Sequence, residues 1–255
     1  MEQLTTNNYW TKHWENSPYR LVNLNSHFDF ELFQVFSKIK ESLDKGDNIH
    51  VLEVGCGNST WLPFLRKTFG WEITGLDYNE LGVSRSKKIL EEMGVDGMIF
   101  QRDLFENNID LANKFDLVYS GGFVEHFDDL EKVILNLKKF IKPNGYILTT
   151  IPNLFNYSII IEKIIGRKIL SAHKFINLEA LVNSHEVNGF ETIDSGYVGF
   201  GGILVPDKYN LLSKVLMFIG SKCFGLIRMT IKVLKFDLPI NKNTSTIIVY
   251  IGKSN

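Results

Sequence analysis

Two hydrophobic rhythms alternate along the first two thirds of the chain. Short, mostly apolar runs fall at residues 50–54, 72–76, 98–101, 115–119 and 146–151. Their length and β-branched content read as strands buried on both faces. Between them lie stretches whose apolar positions recur three or four apart, the spacing of one helical face. These predict a helix starting near Thr60, a second over 80–93 that stops at Gly94, and a third over about 130–141. Pro143-Asn144-Gly145 then reads as a turn. Strands alternating with helices at this spacing predict an α/β fold, a doubly wound parallel sheet.

The flanks are less regular. Phe28, Leu32, Phe33, Phe36 and Ile39 form a helical pattern closed by Lys45-Gly46-Asp47. Beyond residue 152 the pattern predicts a helical stretch over 159–165, a helix over 178–187, a strand over 191–198 and a closing strand over 246–251.

Composition narrows the function classes. The net charge of −1 over 255 residues supplies no basic field for nucleic acid, so no nucleic-acid partner is expected. Two cysteines, Cys56 and Cys223, make neither a disulfide framework nor a cysteine metal cluster, and fit a reducing cytoplasm. No apolar run has the length of a signal-peptide core or a membrane span. The segment 210–236 carries Lys214, Lys222, Arg228, Lys232 and Lys235 and no acidic residue. At 100° per residue the five cations share one arc, opposite apolar side chains. Two readings follow: a basic amphipathic helix lying on an anionic membrane, or an insertion helix pair, broken near Gly220 or Gly225, that covers a cleft or makes a dimer contact. The second is preferred; a monomer or a homodimer fits either.

The candidate chemistry centres on Val51-Leu52-Glu53-Val54-Gly55-Cys56-Gly57-Asn58-Ser59-Thr60, with Asp77 twenty positions after Gly57. The glycines suit a tight strand-to-helix turn with close ligand approach. Asp77 ends the next apolar run, where a carboxylate can accept both hydroxyls of a ribose. A dinucleotide site requires a third glycine where Thr60 stands, and Glu53 disfavours a pyrophosphate. It suits a cation or a ligand's ammonium.

The E-x-G-x-G form and the order of motifs over about 48–152 resemble class I S-adenosylmethionine-dependent methyltransferases. The resemblance implies a seven-stranded sheet with an antiparallel last strand. It implies that Gly55, Cys56 and Gly57 lie beneath the cofactor's methionine part, with Glu53 as the acidic residue of that motif. Asp77, followed by Tyr78, takes the ribose role. Asp103 faces the adenine amino group, with the Leu104 amide beside it. Ser120 and Gly121, at the end of the fourth strand, lie along the cofactor. Lys142-Pro143-Asn144-Gly145-Tyr146 is similar to the family's K-P-G-G turn. Two positions depart from the pattern: Ser59 replaces the usual third glycine of the first motif, and Asn144 replaces a turn glycine.

The resemblance also implies a single domain over 1–255, with an N-terminal helical lid (1–46), a cofactor-binding core (47–152) and substrate-side insertions (153–176 and 199–239). Tyr9, Trp10, Trp14, Tyr19 and Arg20 are lid candidates; the alternative is that Trp10 and Trp14, one turn apart, pack on the core, which is preferred for Trp14, while the lid is preferred for Tyr9 and Tyr19. Arg20 is a candidate partner for a carboxylate or phosphate. His126 is the leading general-base candidate and His173 the second. The alternative for His126 is positioning of backbone or cofactor, and for His173 a helix cap. His185 reads as structural or solvated. No histidine or carboxylate pair at i, i+4 supports a metal, so none is expected.

The implied activity is methyl transfer from S-adenosyl-L-methionine to a small-molecule acceptor. The expected target is an oxygen of a sugar, a nucleotide-linked sugar or a phosphoramidate precursor of a bacterial surface polysaccharide. The alternatives are N- or C-methylation of a metabolite or membrane quinone, or a non-catalytic cofactor-binding partner of another methyltransferase.

Overall fold

In chain order the strands are β1 (His50–Val54), β2 (Glu72–Asp77), β3 (Met98–Gln101), β4 (Phe115–Gly121), β5 (Ile141–Pro152), β6 (Phe190–Phe200) and β7 (Ser245–Ser254). They form one sheet in the order β3-β2-β1-β4-β5-β7-β6. β1 to β5 run parallel, and β7 enters antiparallel between β5 and β6. The structure is a computed structural model that describes residues 3–16, 19–43, 48–157, 159, 168–201, 211–234 and 239–255.

The helices are α1 (Asn7–Asn16), α2 (His27–Leu43), α3 (Trp61–Phe69), α4 (Glu80–Glu92), α5 (Leu130–Lys138), α6 (Leu178–Glu186) and α7 (Leu211–Val233). Short polar residues fix three of their starts. The side chains of Asn79, Asp129 and Asn177 accept from the amides of Gly82, Lys132 and Ala180, satisfying donors the helices cannot. Gly70, at φ 74°, ends α3 in a left-handed cap.

Burial on both faces explains the unbroken apolar runs. On one face Leu52, Val54 and Val118 meet Val133, Ile134 and Leu137 of α5 and Leu181 of α6. On the other, Val51, Leu117 and Leu148 meet Leu32, Phe36 and Ile39 of α2 and Leu65 of α3. Strand order reverses between β1 and β4. The carboxyl ends of these strands are where such sheets open to a ligand.

Three expectations need correction. The predicted turn at Pro143-Asn144-Gly145 lies inside β5, which starts at Ile141. Asn144, at φ 63°, kinks the strand, and the pairing with β4 slips register between Phe115 and Leu117 instead of breaking. The chain before β1 is not all lid: α2 packs in the core, and only the segment around α1 crosses the open end of the sheet. α7 runs unbroken through Gly220 and Gly225, so the predicted helix pair is one 23-residue helix. A helix interior tolerates glycine at about 1 kcal/mol each. The helical stretch expected over 159–165 lies outside the described residues apart from Ile159.

Among the described residues no helix is long and apolar enough to cross a membrane. α7 nevertheless exposes Phe218, Ile219, Leu226, Met229 and Val233.

Candidate functional site

The loop after β1 is shaped by Gly55 at φ 73° and Gly57 at φ 46°, conformations that cost a side-chain-bearing residue energy. Asp77 ties it to the end of β2. One carboxylate oxygen accepts from the Gly57 amide at 2.8 Å and the other from the Asn79 amide at 2.8 Å. Burial pushes the Asp77 carboxyl up, against the pull of these amides. Asp77 still faces the cleft.

Glu53 does not face the cleft. It is buried and accepts a hydrogen bond from the Ser59 hydroxyl, which also receives the Trp61 amide at 3.2 Å. Burial raises the Glu53 carboxyl to about 8, with Ser59 opposing and Asp77 adding to the rise. Ser59, the departure from the glycine pattern, is therefore what holds this carboxyl. Glu53, expected to serve a cation or a ligand's ammonium directly or through water, does not line the cleft and buttresses the loop. Cys56 likewise turns its thiol into the core beside Ile73, Val83 and Ile99, leaving only its backbone at the loop.

A cleft opens over these strand ends. Gly55, Asp77, Tyr78, Asp103, Leu104 and Gly121 line it, as expected, together with Gln3, Trp10, Trp14, Arg102, Gly122 and Phe123. Asp103 is oriented by accepting from the Phe105 amide at 2.9 Å. The Tyr78 hydroxyl receives Gln3 Nε2 at 3.3 Å; burial raises its phenol to about 12. Ser120 is fully buried, its hydroxyl without a hydrogen-bond partner among the described residues, and does not line the cleft.

The aromatic assignments invert. Trp10 and Trp14 line the cleft, stacked at 5.7 Å between centroids. Tyr9 does not; it meets Trp10 edge-on at 5.2 Å and backs the lid. Tyr19 is exposed and bonds Glu92. Arg20 finds its carboxylate in the protein itself, gripping Asp29 through both terminal nitrogens at 2.6 and 2.7 Å.

Beyond Trp10 the structure joins the two base candidates. The His126 ring lies edge-on to Trp10 at 4.9 Å and 4.4 Å from the His173 ring, centroid to centroid. His126 Nδ1 is 2.7 Å from the Ala172 carbonyl. Burial pulls the His126 imidazole down to about 3, helped by His173 and opposed by the carbonyls of Ala172 and Gly122, so the ring is neutral at physiological pH. Glu125 lies beside it, 1% exposed, with Oε1 at 3.9 Å from His126 Nε2. No other described residue donates a hydrogen bond to either Glu125 oxygen, and burial raises the carboxyl to about 8. His185 is structural: it is buried in α6, bonding Leu181 O at 2.8 Å and Thr149 Oγ1 at 2.9 Å.

Sequence reasoning missed Glu125, and preferred the core over the lid for Trp14, which lines the cleft. The lack of an i, i+4 pair also hid the grouping of Glu125, His126 and His173. Their ligand atoms lie within 4.8 Å of one another although the residues come from distant segments.

Comparison with known proteins agrees with this fold. The family described as a methyltransferase domain matches residues 45–187. Ribosomal protein L11 methyltransferase of Thermosipho africanus is 34% identical over 117 residues, covering 43% of this chain and 42% of that protein. Ubiquinone biosynthesis O-methyltransferase of Rickettsia conorii is 27% identical over 135 residues, covering 53% and 45%. The chain thus spans less than half the length of these curated relatives. A crystal structure of a SAM-dependent methyltransferase from Aquifex aeolicus superposes with a TM-score of 0.59 at 13% identity, covering 98% of this chain and all of that one. At that identity the likeness speaks for the fold.

Proposed function

Since the chain belongs to the methyltransferase-domain family and is a class I S-adenosylmethionine-dependent methyltransferase, we propose that it methylates a hydroxyl oxygen of a small-molecule acceptor. The observation that carries this reading is the cluster of Glu125, His126 and His173, one aromatic ring away from the cofactor cleft. A neutral amine needs little help in attacking a sulfonium, whereas a hydroxyl needs its proton weakened or removed. A polar, largely buried trio at that distance suits a hydroxyl. In this reading Asp77 and Asp103 hold the adenosine part of S-adenosylmethionine, Gly55, Cys56 and Gly57 present backbone beneath its methionine part, and Trp10 and Trp14 exclude water.

The proposed acceptor is a sugar, a nucleotide-linked sugar or a phosphoramidate precursor of a bacterial surface polysaccharide, handled in the cytoplasm. The free thiols Cys56 and Cys223 are in keeping with a reducing compartment. A second reading is favoured by α7. Its exposed apolar side chains suit a membrane surface, and an acceptor dissolved in lipid, such as a quinone precursor, would be reached from there. The Rickettsia relative named for ubiquinone biosynthesis is consistent with that alternative.

One experiment separates the two. The full chain is incubated with methyl-labelled S-adenosylmethionine and either a panel of nucleotide-linked sugars or a phenolic quinone precursor in vesicles. Label in the sugar fraction, released as methanol or methoxy sugar on hydrolysis, upholds the first reading. Label only in the lipid phase replaces it with the second. Label on amines alone overturns oxygen as the target.

A further inference from the structure

We propose that Glu125, His126 and His173 form a binding site for one divalent transition-metal cation, which holds and acidifies the acceptor hydroxyl. This rests on the oxygen-directed reading above and deepens it.

Three observations carry the site. First, one carboxylate and two imidazoles converge, with their ligand atoms within 4.8 Å of one another. A cation at about 2.1 Å from each would draw them to roughly 3.5 Å apart, a shift of side-chain torsions alone. Second, both oxygens of Glu125 are buried, and no other described residue donates a hydrogen bond to them. A carboxylate so placed is costly, and buried charges are ordinarily paired or bound to metal. Third, the His126 ring is held in place. Nδ1 lies 2.7 Å from the Ala172 carbonyl, which can only accept, and Nε2 lies 3.9 Å from Glu125 Oε1. A backbone carbonyl on the far nitrogen is how proteins orient a metal-ligating histidine.

The backbone binds the two halves together. The carbonyl that orients His126 belongs to the residue preceding His173, and the Lys174 amide donates to the Glu125 carbonyl at 2.7 Å. His173 is only half-buried, so the open coordination position lies on its side. Two nitrogens and one oxygen suit zinc or manganese better than calcium or magnesium, which favour oxygen alone. Three protein ligands leave a place for the acceptor oxygen. There the cation weakens the O–H bond and the proton passes to water. The oxygen lone pair forms the new C–O bond while the C–S bond breaks, its electrons returning to sulfur as a neutral thioether.

The test uses the full chain stripped with a chelator and titrated with Mn²⁺ alone, followed by calorimetry and by the loss of the free-ion paramagnetic signal. One equivalent should bind with micromolar affinity, falling at least tenfold in Glu125→Gln and in His173→Ala. S-adenosylhomocysteine affinity, measured in parallel, should stay within about threefold in both variants, which also reports their folding. No stoichiometric Mn²⁺ binding, or undiminished binding in His173→Ala, overturns the site. If the cation binds as described but only amines are methylated, the site stands and the hydroxyl reading falls.

Discussion

Trp14 sits on Gly57. A Cβ built on the glycine would lie 2.3 Å from the indole ring, and one built on Gly82 would lie 3.0 Å from the indole nitrogen. The lid helix is therefore keyed to two glycines, one in the loop after β1 and one in the first turn of α4. Neither position tolerates a methyl group without moving the tryptophan.

Gly57→Ala should weaken S-adenosylhomocysteine binding at least tenfold, because it adds both the clash and a left-handed backbone cost of about 1 kcal/mol. Gly70→Ala is the control. It carries a similar φ of 74° with open space around it, so it should lower thermal stability while leaving affinity unchanged in calorimetry.

Ser59→Ala should destabilise the fold by about 1–3 kcal/mol, since it strips the hydrogen bond from a buried Glu53. Glu53→Gln should be milder at pH 7, where burial already favours the protonated carboxyl. Urea denaturation of both variants checks the order; a larger loss in Glu53→Gln would refute the buttress.

Asp77→Ala removes the acceptor for two backbone amides at 2.8 Å. Charge-assisted bonds of this kind are worth roughly 1.5–3 kcal/mol. S-adenosylhomocysteine affinity should drop by about one to two orders of magnitude in calorimetry, and amide exchange at Gly57 should speed up.

His185 makes a separable contribution to the pH dependence of stability. Its ring is stacked on Tyr250, near Phe190, Thr149 and the Leu181 carbonyl, and burial lowers its imidazole to about 3. The unfolded imidazole titrates near its ordinary 6.5. Stability from this group is thus complete above 6.5 and falls as the pH drops towards 3, because the unfolded chain takes a proton the folded one refuses. Between pH 7 and 5 this contribution should fall by up to about 2 kcal/mol, read in paired urea titrations as the change in the stability difference between the unsubstituted chain and His185→Gln, because the shifted groups His126, Glu53 and Glu125 are present in both.

α7 should bring the chain to anionic vesicles and not to zwitterionic ones. Phe218 is 63% exposed and Leu226 60%, and Lys222 lies over the Phe218 ring at 5.5 Å. Replacing Phe218 and Leu226 by Asp should abolish flotation with phosphatidylglycerol vesicles. Flotation unaffected by the double change would assign the contact elsewhere, and loss of a dimer in light scattering would assign α7 to self-association.

The sheet and the loop at Gly55 and Gly57 were legible because their signals are local. Runs such as 51–54 and 115–119 are apolar because both faces of the strand are covered, and the turn glycines lie next to the ligand end they shape. The same locality misled elsewhere. Trp10 and Trp14 one turn apart fit a core stripe as well as a lid, and only the position of α1 over Gly57 decides between them. Asn144 reads as a turn residue, yet a left-handed kink inside a long strand meets the same backbone need. Glu125 carries no pattern of its own. Its surroundings arise where the end of β4 meets a segment beyond β5, a long-range encounter that residue spacing does not encode.

The stacking of Trp10 on Trp14 has a kinetic consequence. One ring rests on the glycine loop, and the other meets His126 edge-on at 4.9 Å. Raising α1 to admit the sulfonium therefore also uncovers the imidazole side of the cleft, and lowering it restores both walls at once. Access to the two sides of the cleft is thereby coupled through one helix.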